Sequence, residues 1–203
     1  MERVVCFVDG FNLYHSLLGF PGGEKYKWLD IRKLCSLFLM SKQELHRVLY
    51  FSAYVGWDLQ KVRRHRTYVR ALEATGVEVV LGEFKKKTRR CRQCGKDYDT
   101  FEEKETDVDI ALRVLELAAQ DEFDIGIVVS GDSDLVPVVQ SVRRIAPAKT
   151  IGVLLPMGQR SESLKRAADF HMKIKQKHIQ SCRLPDPVSL GGGAAIHCSA
   201  EWV

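Results

Sequence analysis

Apolar and polar positions alternate along this chain in blocks that predict strands and helices in turn. "RVVCFVD" (3–9) is an unbroken apolar run of strand-forming residues closed by Asp-Gly, the pattern of a strand buried on both faces. "FNLYHSLL" then reads as a helix, broken by "PGG" (21–23), and "DIRKLCSLFL" (30–39) as a second helix with Asp30 as its N-cap. "HRVLYFSAYVG" (46–56) is a second strand. The helix over 58–76 places Leu59, Val62, Tyr68 or Val69, and Leu72 toward the core, with Gly76 as its stop. "VEVVLGEF" (77–84) is a third strand, running into a basic, cysteine-bearing loop.

Beyond that loop the alternation resumes. A helix over 106–120, a strand over 123–130, a helix over 135–145, a strand over 150–155 and a short helix over 161–170 follow in order. Strands separated by helices at this spacing predict βαβ units, hence an α/β fold with a mainly parallel sheet covered by helices on both faces. One domain over 1–180 accounts for the periodic part, with residues 85–104 as an insertion. Residues 181–203 carry Pro, Gly and Ser punctuation without periodicity and read as a flexible tail.

Composition narrows the possibilities. The 203 residues are 45% hydrophobic and 28% charged, as in ordinary globular proteins, and no eighteen-residue apolar run would cross a membrane. Asp9 interrupts what would be the apolar stretch of a signal peptide, so the expected location is cytoplasmic. The six cysteines are then read as thiols or metal ligands rather than disulfides. Cys6 and Cys35 sit in apolar contexts and are core residues. Cys91 and Cys94 form one CxxC, half of a zinc knuckle, and no second CxxC completes it.

The net charge of +5 is concentrated in "KVRRHRTYVR" (61–70) and "KKKTRRCR" (85–92). That concentration favours a polyanionic partner, with Lys61, Arg64, Arg66, Lys86 and Arg89 as candidate nucleic-acid contacts. His65 is expected to project outward with them, with Tyr68 near. A homodimer is compatible with the sequence.

The chemistry is expected at strand ends. Ligands of a parallel sheet bind outside its C-terminal edge, where Asp9 closes the first strand and "SGDSD" (130–134) follows the fourth. Asp107 and Asp109 open the helix that feeds the fourth strand. Any one of these aspartates could be a helix cap. Their recurrence at one rim points instead to a hard divalent cation, Mg²⁺ or Mn²⁺, which relieves carboxylate repulsion. Such an ion beside basic surface suits phosphodiester hydrolysis. No Walker glycine loop is present, and no Ser, His and Asp set stands out.

At these residues the chain resembles the NYN domain, the LabA-like branch of the PIN-like nuclease superfamily. "FVDGFNLYHSL", "EEKETDVDIAL" and "IVVSGDSDLVPVV" are similar to three spaced motifs of that family, over residues 3–172. The resemblance implies a PIN-like, Rossmann-like three-layer α/β/α fold, a divalent metal and ribonuclease activity on RNA. It carries Asp9, Asp107, Asp132 and Asp134 onto the acidic metal positions and Asn12 onto the ordering asparagine, and Ser130 is expected to orient the pocket with Asn12. Asp109 falls where the motif is variable and reads as a cap or surface residue. Many relatives have an aspartate where this chain has Arg113, which is expected either to grip phosphate near the pocket or to weaken metal binding. The alternative is an RNA-binding or regulatory module that keeps the fold without catalysis. A magnesium-dependent phosphatase is disfavoured, because Phe11 stands where its second aspartate belongs.

Overall fold

A computed structural model describes residues 1–202, with the side chains of residues 86 and 101–104 outside the description. Six strands, β1 (Glu2–Asp9), β2 (Gln43–Ala53), β3 (Glu78–Arg90), β5 (Ile125–Val129), β6 (Thr150–Leu155) and β7 (Phe170–Lys173), lie parallel in the order β3-β2-β1-β5-β6-β7. β4 (Asp97–Lys104) adds antiparallel to the outer edge of β3. The chain crosses from β1 to β2 on one side and later returns to place β5 on the other. β1 and β5 therefore flank the topological switch point, outside whose C-terminal ends a crevice must open.

Alternation along β1 assigns the two helical layers. Val4, Cys6 and Val8 face a core built with α1 (Gly10–Leu18), α2 (Ile31–Ser36), α3 (Leu59–Ala74) and α7 (Gln176–Ser181). Val5 and Phe7 face the other, built with α4 (Thr106–Ala119), α5 (Val136–Ile145) and α6 (Glu162–Ala167). Burial on both faces is why these strands read as continuous apolar runs. The three-layer α/β/α expectation is met, and no helix among the described residues is long and apolar enough to cross a membrane.

Helix termini follow the local rules. Asp30 caps α2 by accepting from the Lys33 amide at 2.8 Å. Gly76 leaves α3 at φ 79°, and the Val77 amide reaches back to the Leu72 carbonyl. Pro137 sits in the first turn of α5, where its missing N–H costs nothing. In β6, a methyl group added at Gly152 would overlap the Phe170 ring of the neighbouring strand. Gly152→Ala is expected to cost about 1–3 kcal/mol through overpacking, measurable by urea denaturation.

Three features differ from the sequence reading. Leu59 is 74% exposed, because the buried face of α3 begins at Val62. The basic loop is a hairpin: β3 continues to Arg90 and pairs with β4 in register, Arg90 opposite Asp97 and Thr88 opposite Asp99. Arg90 and Asp97 set opposite charges across the ladder. The CxxC lies at the hairpin's end, where amides of Gln93 and Cys94 approach the Cys91 sulfur and lower its pKa.

The third difference is the C-terminal segment. In place of a flexible tail, residues 182–202 form an antiparallel pair, β8 (Val188–Gly191) and β9 (Ala194–Ile196), and a closing 3-10 turn (Ala200–Trp202). Leu184, Val188 and Ile196 are buried in the α1–α3 core. Trp28, fully buried beneath them, donates its indole N–H to the Pro185 carbonyl at 3.0 Å, and its own carbonyl accepts from the Leu184 amide. Gly191, Gly192 and Gly193 all take positive φ, so the glycine run is a turn between strands.

Candidate metal and nucleic-acid site

The switch-point crevice is organised around Asp9. Val8 pairs with Val129 at the ends of β1 and β5, so the residues that follow each strand emerge side by side. Asp9 is 5% exposed. One carboxylate oxygen accepts from the Asn12 amide at 2.9 Å, capping α1, and the other accepts from the Ser130 hydroxyl at 2.9 Å. Ser130, fully buried, also accepts from the Asp132 amide at 3.0 Å. The Asn12 side-chain oxygen accepts from the Gly131 amide at 2.9 Å. These bonds tie the β1 exit to the β5 exit through both main chain and side chains. Gly131 is needed for a close approach, since a Cβ there would stand 2.7 Å from the Gln159 side chain.

The remaining acids come from two directions. Asp132 caps the short turn Ser133–Leu135 by accepting from the Asp134 amide at 2.9 Å, so the capping role holds for this residue while its carboxylate also lines the crevice. Asp107 arrives on the first turn of α4. It does not cap that helix: the cap position is Glu105, held at φ 79° with no side-chain capping bond. A non-glycine residue held there marks a local strain of the kind found at functional sites.

Asp9, Asp107 and Asp132 share a cavity of about 360 Å³ with Asn12 and Gln159. Asp134 is exposed and outside that lining, yet near enough to act on Asp107. Burial, then the charges of Asp9, Asp132 and Asp134, push the Asp107 carboxyl up to about 6. Burial also raises Asp9, against the lowering effect of its bonds from Asn12 and Ser130.

The donor set is all hard oxygen, the kind Mg²⁺ and Mn²⁺ take. Beside it the Thr106 hydroxyl is buried without a hydrogen-bond partner among the described residues. Among the described residues, no three His, Cys, Asp or Glu side chains already close into a metal cage. The residues fit a divalent cation by chemistry and by electrostatic demand, and they would have to draw in around it.

That demand gives a stability prediction. Asp107 titrates higher in the folded chain than an ordinary aspartate, so its contribution to stability is greatest below about pH 4 and is lost as pH rises through 6. Asp107→Asn removes the penalty. Discounted for the exposure of this side chain, the metal-free variant should gain roughly 1 kcal/mol above pH 6.5, or about 2–4 °C in Tm. The gap should close toward pH 4, and added Mg²⁺ should raise the Tm of the parent more than that of the variant. Thermal unfolding at pH 4, 5.5 and 7.5, with and without Mg²⁺, checks both signs.

The basic candidates divide. Lys61 pairs with Asp58 at 3.3 Å and Arg64 with Glu201 at 2.6 Å, and both line a second cavity adjoining the acidic one. Arg66 lies over the Tyr54 ring, 5.4 Å from its centroid. Arg89 projects from the hairpin opposite Tyr98, and the Lys86 side chain lies outside the described residues. Arg113 does not reach the crevice: it pairs with Glu116 at 2.8 Å and helps to lower the Glu78 carboxyl at the start of β3.

Several residues go beyond the sequence reading. His65 is turned inward, its ring nitrogen 3.3 Å from the Ser52 hydroxyl, and burial lowers its pKa to about 4. Tyr68 is buried and donates to the Leu29 carbonyl at 2.8 Å. Phe11 and His15, one helical turn apart on α1, line both cavities, and their i, i+4 spacing from a helix start beside Asp9 is the signal that could have found them.

Comparisons with known proteins fit this architecture. The model of the NYN domain matches residues 3–175. A curated protein from Pseudomonas putida, 6-hydroxy-3-succinoylpyridine 3-monooxygenase HspA, is 24% identical over 225 residues, spanning 90% of this chain and 70% of that protein. A solved structure of a protein of unknown function from Vibrio parahaemolyticus superposes with a TM-score of 0.59 at 22% identity, over 86% of this chain and 94% of that one.

Proposed function

Because the chain belongs to the NYN domain family of the PIN-like superfamily, we propose that it is a metal-dependent ribonuclease whose carboxylates at the switch point hold Mg²⁺ or Mn²⁺. The observation that carries this reading is the convergence of Asp9, Asp107 and Asp132 on one cavity, with Asp134 near enough to act on Asp107, where burial first and then the neighbouring charges raise Asp107 to about 6. A bound divalent ion supplies a water of lowered pKa and neutralises charge on the scissile phosphate.

The chain's own groups do the rest. Ser130 and Asn12 fix the Asp9 carboxylate, so that both of its oxygens are oriented before any ligand arrives. Asp107 supplies the group that ionises near neutrality as the cation site forms. Lys61, Arg64, Arg66 and Arg89 are the proposed phosphate contacts along the strand, adding affinity that weakens with salt. Arg113 has no part in the reading, since its partner is Glu116.

A second reading, an RNA-binding module without catalysis, is favoured by one observation: the described carboxylates form no preformed cage. The experiment that separates them is incubation of the purified chain with end-labelled single-stranded RNA in Mg²⁺, in Mn²⁺ and in EDTA, beside Asp132→Asn. Ribonuclease function predicts cleavage in the metals alone and its loss in the variant. Binding without cleavage in either metal supports the second reading, and cleavage that survives EDTA and the variant sinks the metal mechanism.

A further inference from the structure

The second cavity, about 520 Å³, opens beside the acidic one and shares Phe11 and His15 with it. Its volume is that of a small-ligand site. Its walls are largely aromatic and come from distant parts of the chain. Phe84 of β3 stands edge-on to Phe11 of α1 at 5.4 Å and to Trp57, before α3, at 5.1 Å, and Trp202 of the C-terminal turn adds another ring. Trp57 is 46% exposed.

The polar groups are of two kinds. Inside are Ser52 and His65, a hydrogen-bonded pair whose imidazole is uncharged at neutral pH because it is buried. Such a pair offers donor and acceptor atoms to the edge of a neutral ring. Also lining it are the cations Lys27, Lys61 and Arg64 and the acids Glu24 and Glu201. Arg64 is paired to Glu201 at 2.6 Å and Lys61 to Asp58 at 3.3 Å, so a phosphate must draw Lys61 and Arg64 away from these partners. A flat, polar-edged heterocycle on an anionic backbone satisfies both kinds at once, whereas an apolar peptide side chain would leave the Ser52 and His65 edge unmatched.

We propose that this cavity receives one unstacked nucleobase of a single-stranded RNA whose neighbouring phosphate lies at the acidic cavity. The inference rests on the nucleic-acid reading above and adds to it a requirement for an unpaired base. A duplex presents no free ring, so paired RNA is excluded from the cavity until a base is turned out. Stacking on exposed rings is tolerant of base identity, so the site selects single strands rather than a sequence.

The test is binding in EDTA, with fluorescence anisotropy of a labelled single-stranded hexamer and of hexamers carrying one abasic nucleotide at each position in turn. The expected result is a loss of about 10-fold when the base at one position is removed, and a similar loss for Trp57→Ala on the intact strand. Trp57→Ala should cost little more on that abasic strand, because both changes remove the same contact. Phe84→Ala, read the same way, guards against a local effect of the tryptophan change. If every abasic strand binds like the intact one, or if Trp57→Ala weakens intact and abasic strands equally, the nucleobase site is overturned. It is also overturned if a free pyridine carboxylate fills the cavity while RNA binding ignores Trp57. Cleavage that does not depend on the base would remove this inference alone. Base-dependent binding with no cleavage in Mg²⁺ or Mn²⁺ would remove the ribonuclease reading alone.

Discussion

Asp9→Ala is expected to lower RNA cleavage by at least about 100-fold, since it removes a ligand and the anchor for two residues that orient the site. The same change should lower stability. It deletes the cap of α1, worth about 1 kcal/mol, and leaves the buried Ser130 hydroxyl without its acceptor, a cost of about 1–3 kcal/mol. Loss of a buried carboxylate whose ionisation is already disfavoured offsets part of this. The net is about 1–2 kcal/mol, or a fall of roughly 2–8 °C in Tm. Asp107→Asn should abolish cleavage while raising metal-free Tm. Two inactive variants with opposite shifts in Tm would separate the oriented, bonded member of the site from the one held against repulsion. Calorimetry beside the RNA assay reads both.

Removing residues 182–203 carries the largest expected effect on stability. Burial of Leu184, Val188 and Ile196 contributes about 1.5–3 kcal/mol each, and deletion also uncovers Trp28. Because Trp28 and its neighbours are left open to water, as when a large core side chain is removed, the net loss should be on the order of 3 kcal/mol. That corresponds to about 6–12 °C in Tm, measured by thermal unfolding of a chain ended at Ser181. A shift within 2 °C would mean that the segment adds nothing to the core.

Much of this architecture is legible because the sheet is buried on both faces. "RVVCFVD" and "DIGIVVS" leave no choice of exposed face, and their neighbouring positions bring Asp9 and Ser130 together. The aspartates are legible as the polar residues that stand where buried strands end. What escaped had other causes. The hairpin over residues 85–104 is rich in charged and polar residues, and its ladder sets Arg90 opposite Asp97, which a pattern of hydrophobicity does not register. The C-terminal segment buries isolated aliphatic residues between glycine turns, so no period of 2 or 3.6 arises. His65 stands in "RRHR", a run whose composition points to solvent, although its spacing of three from Val62 and four from Val69 places it inward. Arg113 is six residues beyond Asp107, and that separation turns it from the crevice to Glu116. The aromatic cavity draws on residues 11, 57, 84 and 202, which only the folded chain brings together.

The measurement closest to the central claim is calorimetric titration of Mn²⁺ into the purified chain at pH 7.5, beside Asp132→Asn and Asp107→Asn. The account predicts saturable binding by the parent, release of protons as Asp107 ionises, and affinity at least about 10-fold weaker in each variant. Equal affinity in all three proteins would contradict it, because the ion would then be held somewhere other than the acids that meet at the ends of β1 and β5.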